Sequence, residues 1–159
     1  MSAAHITPGV YFIQNIGTNT VLDLTNGSSA NSTKVQGYAK RELSDPWAPA
    51  QLWIIAPVSG NDPLYTIQNT NSRTYADLTG SNVASGTPII GYQGTGNPNQ
   101  HWVFSLNADK SAYVIRNQST GTFIDLLNGG SANGTAVNGW AGEGATTGNT
   151  HQLWRLVHV

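Results

Sequence analysis

The amino-acid sequence predicts an all-β fold assembled from three consecutive repeats. A phrase returns three times with small changes, as VLDLTNGSSANSTKVQGY, YADLTGSNVASGTPIIGY and FIDLLNGGSANGTAVNGW. Short segments such as YFIQN and TVLDL alternate or run apolar and are bounded by Gly, Asn, Ser and Pro, which is typical of strands and turns. No apolar period of 3.6 residues continues long enough to predict a helix.

Four landmarks keep the same order in each repeat. A Tyr stands twelve residues before an Asp, an aromatic residue stands fifteen residues after that Asp, and Gln-x-Trp closes the unit. The Asp and the aromatic residue are Asp23 and Tyr38, Asp77 and Tyr92, and Asp125 and Trp140. Such repetition indicates one supersecondary unit per repeat. We expect a single domain over residues 1–159, with repeats at roughly 6–58, 59–107 and 108–159.

Each repeat offers about four short strands. In the first repeat we predict them at Tyr11–Asn15, Val21–Leu24, Lys34–Tyr38 and Gln51–Ile55. Because side chains alternate along a strand, Leu22 and Leu24 are expected in the core and Asp23 on the opposite face. The same alternation is expected around Asp77 and Asp125.

Composition excludes several classes of partner. Only 9% of the residues are charged, against about 25% in a typical globular domain, and the net charge is −1. Nucleic-acid binding depends on Lys and Arg that neutralise phosphates, so no nucleic-acid partner is expected. Neither a basic amphipathic helix nor an apolar stretch of roughly 18 residues is present, so membrane insertion is not expected.

The chain contains no Cys, and His5, His101 and His158 show no metal-ligand spacing. No cofactor or metal is therefore expected. The N-terminal segment MSAAHITPGVYFIQ lacks the basic and apolar regions of a secretory signal. These features favour a cytoplasmic protein.

The three Gln-x-Trp endings, each following an aromatic residue, resemble those of ricin B-chain-like (R-type) lectins, and the chain is most similar to the fungal agglutinins among them. The resemblance runs from ITPGVY to HQLW. It implies a β-trefoil, which is a barrel capped by three hairpins; propellers typically need four to eight units. It also implies that each repeat forms a lobe that can hold galactose or N-acetylgalactosamine, carried by glycoproteins or glycolipids.

The resemblance further implies the binding residues: an Asp, an amide side chain two residues before the aromatic residue, the aromatic residue itself, and the Asn or His and the Gln that open the closing motif. The third lobe fills every position with Asp125, Asn138, Trp140, His151 and Gln152. The first has Asp23, Gln36, Tyr38 and Gln51, with Ala50 in place of Asn or His; the second has Asp77, Tyr92, Asn99 and Gln100, with Ile90 in place of the amide. We therefore expect unequal lobes, with the third the best site.

These residue types suit a pyranose. An aromatic ring covers its C–H face, a carboxylate accepts hydrogen bonds from two neighbouring hydroxyls, and an amide both donates and accepts. A monosaccharide of about 12 heavy atoms would bind with a Kd of about 1 mM. Useful binding then requires several lobes or an additional subsite, for which Trp47 in the segment KRELSDPWAP is a candidate.

Structural interpretations compete with these roles. Each Asp could instead cap the turn that follows it, and Trp47 could anchor its loop. We expect Trp53, Trp102 and Trp154 in the core, and Gln51, Gln100 and Gln152 to satisfy buried backbone groups before they support a ligand.

Two other functions stay open. A trefoil protease inhibitor would act through a protruding loop, for which KRELSDPWAP is the charged candidate. A glycosidase would need two carboxylates about 5–9.5 Å apart, whereas the three Asp residues belong to separate lobes, so no catalytic residue is expected. Homodimerisation also stays open, because the sequence shows no interface patch.

Overall fold

A computed structural model describes residues 3–60 and 63–159. In this part of the chain the regular elements are strands and single-turn 3₁₀ helices, so the predicted all-β class is confirmed. The strands are β1 Gly9–Asn15, β2 Val21–Leu24, β3 Thr33–Tyr38, β4 Trp53–Pro57, β5 Leu64–Asn69, β6 Tyr75–Leu78, β7 Thr87–Tyr92, β8 Trp102–Leu106, β9 Tyr113–Asn117, β10 Phe123–Leu126, β11 Thr135–Trp140 and β12 Trp154–His158. Among the described residues, none of the helices has the length and apolarity that a membrane span requires.

Three of the four strands predicted in the first repeat have different bounds: β1 begins at Gly9 and β3 at Thr33, ahead of the expected Tyr11 and Lys34, and β4 lies further along the chain. The strand expected over Gln51–Ile55 begins only at Trp53, because Gln51 ends a 3₁₀ turn over Ala48–Gln51. Pro49 lies in the first turn of this element, where its fixed φ and missing N–H are compatible with a helical start. The turn carries Gln51 to the base of the neighbouring hairpin.

Six strands close into an antiparallel barrel through the pairings β1–β4, β4–β5, β5–β8, β8–β9, β9–β12 and β12–β1. The other six form three hairpins, β2–β3, β6–β7 and β10–β11. The last strands of these hairpins also pair with one another, as β3–β7, β7–β11 and β11–β3. A six-stranded barrel closed at one end by three mutually paired hairpins is a β-trefoil.

Three tryptophans fill the barrel, one from each lobe. Trp53, Trp102 and Trp154 are at most 1% exposed, as the sequence predicts. Each indole Nε1–H donates to a backbone carbonyl at the start of a hairpin, of Leu22 at 3.0 Å, Ala76 at 3.1 Å and Ile124 at 3.0 Å. The rings bury a large apolar area and also tie each hairpin to the barrel.

Apolar residues on the first strand of each hairpin complete the same core, as the alternation predicts. Leu22 and Leu24 are 1% and 0% exposed, and their counterparts in the other lobes are also buried: Ala76, Leu78, Ile124 and Leu126.

The glycine before each aromatic residue allows the hairpins to approach one another. A Cβ added at Gly37, Gly91 or Gly139 would lie 2.6–2.8 Å from a Leu Cδ1 of another lobe, of Leu126, Leu24 and Leu78 respectively. Such a distance is too short for an ordinary contact, so a side chain there would push the lobes apart. The packing of the hairpins thus explains why glycine stands before the aromatic residue in each repeat.

We predict that Gly139→Ala lowers the free energy of unfolding by about 1–3 kcal/mol, because the new methyl group overlaps Leu78. Chemical denaturation measures the change. The matched control is Gly148→Ala, since a Cβ at Gly148 meets no atom within 4 Å. Equal stabilities of the two variants would contradict this packing role.

Candidate functional site

The register of each hairpin explains the fifteen-residue spacing. In the first lobe Asp23 of β2 pairs with Gln36 of β3, and Tyr38 lies two residues after Gln36 on β3. Paired residues share a face, and so do residues two apart on one strand. The carboxylate and the ring are therefore diagonal neighbours on one face, with Cα atoms roughly 7–8 Å apart. The register gives Asp77 with Tyr92 and Asp125 with Trp140 the same relation.

A glutamine amide fixes each carboxylate. Nε2 donates to Asp Oδ2 in every lobe, at 3.0 Å for Gln51 to Asp23, 2.9 Å for Gln100 to Asp77 and 2.9 Å for Gln152 to Asp125. The same nitrogen donates to the backbone carbonyl of the residue after the aromatic residue, at 2.8–3.0 Å, in Ala39, Gln93 and Ala141. The predicted structural role of the glutamines is confirmed.

A loop of a neighbouring lobe holds the same residue from the other side. The backbone N–H of Ala39 donates to Asn133 Oδ1 at 2.8 Å, that of Gln93 to Asn31 Oδ1 at 2.8 Å, and that of Ala141 to Ser85 Oγ at 3.0 Å. The sequence reasoning missed these contacts. Their positions in the repeat could have predicted them, because Asn31, Ser85 and Asn133 each stand eight residues after the Asp of their own repeat.

The three carboxylates are largely buried. Asp23, Asp77 and Asp125 are each 4% exposed. Burial is the main cause that raises the pKa of all three above 3.8, and the amide hydrogen bonds oppose it only in part. Within the described residues these carboxylates accept from side-chain amides and from no N–H of the following turn, so the turn-capping interpretation is wrong.

The first lobe has a small cavity of about 120 Å³ at this position. Its lining residues are Asp23, Asn26, Gln36, Tyr38, Arg41, Trp47 and Ala50. Gln36 Nε2 donates to the second carboxylate oxygen of Asp23 at 3.1 Å. The Arg41 guanidinium lies 5.0 Å from the centre of the Tyr38 ring and also pairs with Asp45 at 3.2 Å. The sequence reasoning missed Asn26 and Arg41.

The second lobe has a wider cavity of about 310 Å³ that brings together Asp77, Tyr92 and Asn99. Asn99 Nδ2 donates to Asp77 Oδ1 at 3.0 Å and to the carbonyl of Leu78 at 3.1 Å. Ile90, opposite Asp77 in the hairpin, contributes an apolar wall where the other lobes have an amide. This cavity also includes Ser32 from the first repeat, which the sequence did not indicate.

The third lobe leaves one carboxylate oxygen and one side-chain amide without a partner among the described residues. Asp125 lies opposite Asn138, and no described residue donates to Asp125 Oδ1 or bonds the Asn138 amide. Trp140 is 36% exposed on the same face. The His151 ring packs against Gly129, where an added Cβ would lie 2.7 Å from His151 Cδ2. A free carboxylate oxygen, a free amide and an open indole therefore share one surface.

The fold and these repeated ring-and-carboxylate pairs are those of a β-trefoil with three related surface sites. Residues 49–140 match the family described as ricin-type β-trefoil lectin domain-like. The chain belongs to this family.

Solved structures agree with this membership. The lectin of Polyporus squamosus, bound to the human-type influenza-binding epitope Neu5Aca2-6Galb1-4GlcNAc, is 38% identical with a TM-score of 0.77, and the match covers 96% of this chain and 50% of that chain. This chain therefore spans about half the length of the Polyporus lectin. At lower identity, which shows the fold alone, are ThreeFoil, a designed three-fold symmetric protein (22%, TM-score 0.83, coverage 95% and 99%), and the Macrolepiota procera ricin B-like lectin in complex with lactose (23%, TM-score 0.74, coverage 98% and 100%).

We predict that Asp125→Asn makes the protein relatively more stable as the pH rises from about 3 to 7. A carboxyl whose folded pKa is raised contributes stability below its unfolded pKa, and this contribution is lost as the pH rises through the folded value. Asn removes this loss. Its side-chain oxygen can still accept from Gln152 at the position of Oδ2, and its NH₂ group can take the position of Oδ1, to which no described residue donates. Denaturation curves over the pH range measure the difference from wild type.

The matched control is Asp109→Asn. Hydrogen bonds from Ser111 lower the pKa of Asp109, so its contribution is present above the unfolded pKa and is lost as the pH falls. The Asp109 variant should therefore lose relative stability as the pH rises. The same slope for both variants would show that burial does not govern Asp125.

Proposed function

We propose that this protein is a multivalent, non-catalytic lectin that binds galactose or N-acetylgalactosamine in the glycans of glycoproteins or glycolipids. The observation that carries the proposal is the placement of one aromatic ring and one buried carboxylate on the same face of each of three hairpins. Galactose has an axial hydroxyl that leaves one C–H face free to stack on such a ring. The carboxylate then accepts from two hydroxyls at the rim.

The third lobe has the most complete set of free groups. Asp125 Oδ1 can accept from a sugar hydroxyl, while the Asn138 amide can donate and accept. Trp140 offers an indole face that is 36% exposed and lies near the loop at Gly86, where an added Cβ would be 3.7 Å from Trp140 Cζ3.

The first and second lobes are proposed as weaker sites. Gln36 and Asn99 already donate to the outer carboxylate oxygens of Asp23 and Asp77. A sugar hydroxyl would have to share these oxygens, although each oxygen has two lone pairs and can accept a second bond. In the first lobe Arg41 also covers part of the Tyr38 ring.

The relationship to the Polyporus lectin supports the proposal, because the two chains are 38% identical over the matched region and that protein is bound to a glycan that contains galactose. The match covers 50% of that protein, so the activity of its whole chain does not transfer directly.

In the first and second lobes the geometry gives no support to a glycosidase. The cavities of the first and second lobes are each lined by a single carboxylate, Asp23 and Asp77. Glycoside hydrolysis uses two carboxyl groups that flank one bond.

The inhibitor alternative is also not favoured. In the candidate segment KRELSDPWAP, residues 40–49, the part from residue 43 onward folds into consecutive turns, closed by hydrogen bonds such as Ala48 N to Asp45 O at 2.9 Å. Peptide recognition by added strands uses an extended segment instead. The cytoplasmic location and a homodimer remain predictions from the sequence.

We predict that the protein is retained on immobilised galactose and eluted by galactose or N-acetylgalactosamine. Asp125→Asn should weaken binding at the third lobe by about 10-fold or more, because hydrogen bonds to a charged group contribute about 1.5–3 kcal/mol. Calorimetric titration measures the loss, and Gly148→Ala is the control that should bind as wild type. A protein that binds none of the sugars on a glycan array would end the proposal.

A further inference from the structure

A second cavity adjoins the site of the first lobe. It has a volume of about 250 Å³ and is lined by Pro46, Trp47, Ala50 and Asn71. We refer to it as the annexe cavity. It shares Trp47 and Ala50 with the cavity that contains Asp23, so the two spaces are neighbours along one surface.

The small side chain of Ala50 leaves this space open. The equivalent residue of the second lobe, Asn99, reaches Asp77 and Leu78 with its amide, and that of the third lobe, His151, packs against Gly129. Ala50 has only a methyl group and is 5% exposed. Beside its carboxylate the first lobe therefore lacks the long polar side chain that Asn99 and His151 supply in the other two lobes.

The loop that carries Trp47 is held in place although the indole is 54% exposed. Asp45 Oδ1 accepts from the Trp47 backbone N–H at 2.8 Å, and Asp45 Oδ2 accepts from Arg41 at 3.2 Å. The carbonyl of Asp45 accepts from the Ala48 N–H at 2.9 Å. The wall of the annexe cavity is thus preorganised, which reduces the entropic cost of binding.

The residues that line the annexe cavity are apolar, except for one that has a side-chain amide. Pro46, Trp47 and Ala50 supply apolar surface. Asn71 Nδ2 already donates to the carbonyl of Gly27 at 2.7 Å, while its Oδ1 accepts from none of the described residues. A ligand group that matches this pattern has a methyl group next to a single N–H donor. An acetamido group has both.

We propose that the first lobe selects N-acetylated amino sugars, with the acetamido methyl in the annexe cavity and its N–H donating to Asn71 Oδ1. This inference rests on the proposed lectin function. The acetamido group can belong to the sugar that contacts Asp23, as in N-acetylgalactosamine, or to the next sugar along, as in N-acetyllactosamine. The third lobe has His151 at the position of Ala50 and should show no such preference.

Indole N–H signals in isotope-labelled protein test the proposal, because Trp47 and Trp140 report on the first and third lobes separately. Trp47→Phe and Trp140→Phe assign the two signals. The wild-type protein is titrated with two matched pairs of probes, galactose with N-acetylgalactosamine and lactose with N-acetyllactosamine. Within each pair the probes differ by the acetamido group, and the two pairs distinguish which sugar carries it.

The Trp47 signal should give a Kd about fourfold lower for the N-acetylated member of at least one pair, the factor expected from burial of one methyl group. The Trp140 signal should show no such difference. Ala50→Asn, which introduces the residue of the second lobe, should abolish the preference at Trp47 and leave the Trp140 titration unchanged.

Equal affinities within both pairs at Trp47, or a preference that survives Ala50→Asn, would overturn the inference. If the inference is overturned but the Trp140 signal still responds to galactose, the proposed lectin function stands without the N-acetyl preference of the first lobe. If neither indole responds to any of the four sugars, both proposals fail. The comparison of paired sugars uses the wild-type protein, so it decides even where the Ala50 variant does not fold.

Discussion

The hydrogen bond from a glutamine amide to an aspartate carboxylate is the interaction on which the rest of the structure depends. It occurs in all three lobes at 2.9–3.0 Å and connects the 3₁₀ turn that precedes a barrel strand to the base of a hairpin. The same amide holds the backbone beside the aromatic residue, so one side chain sets the positions of both the charge and the ring. The contact from the neighbouring lobe, through Asn133, Asn31 or Ser85, makes each site depend on two repeats. The sites are therefore a product of the closed three-lobe assembly.

The buried carboxylates have an energetic cost that folding alone does not explain. Burial raises their pKa values, which means that the charged form is disfavoured in the folded protein. Asn, a neutral side chain of the same shape, would avoid that cost. At position 125 its NH₂ group could replace Oδ1, because no described residue donates to that oxygen. A ligand with neighbouring hydroxyls would instead stabilise the charge. The repetition of this arrangement in three lobes is the physical basis for the lectin proposal.

The sequence predicted the parts that repeat. The alternation around Asp23, Asp77 and Asp125 placed the leucines in the core, and the closing tryptophans were correctly expected there. The start of β4 was wrong because Pro49 favours a turn at a point where the apolar pattern suggests a strand. Contacts between lobes, such as Asn133 to Ala39, were missed because they depend on how the hairpins pair around the barrel axis. The sequence pointed to Trp47 as a candidate subsite and to Ala50 as a departure from the repeat, but the annexe cavity between them depends on how the loop folds, which the repeat pattern does not predict.

The pKa of Asp125, followed by NMR of its carboxyl carbon with and without saturating galactose, tests most directly whether the carboxylate binds sugar hydroxyls. Without sugar the pKa should lie above the ordinary value of 3.8, because of burial. Hydroxyl donors favour the charged form, so the account predicts that galactose lowers the pKa and that affinity falls as Asp125 becomes protonated. A pKa that galactose leaves unchanged, while the sugar is shown to be bound, would contradict the account.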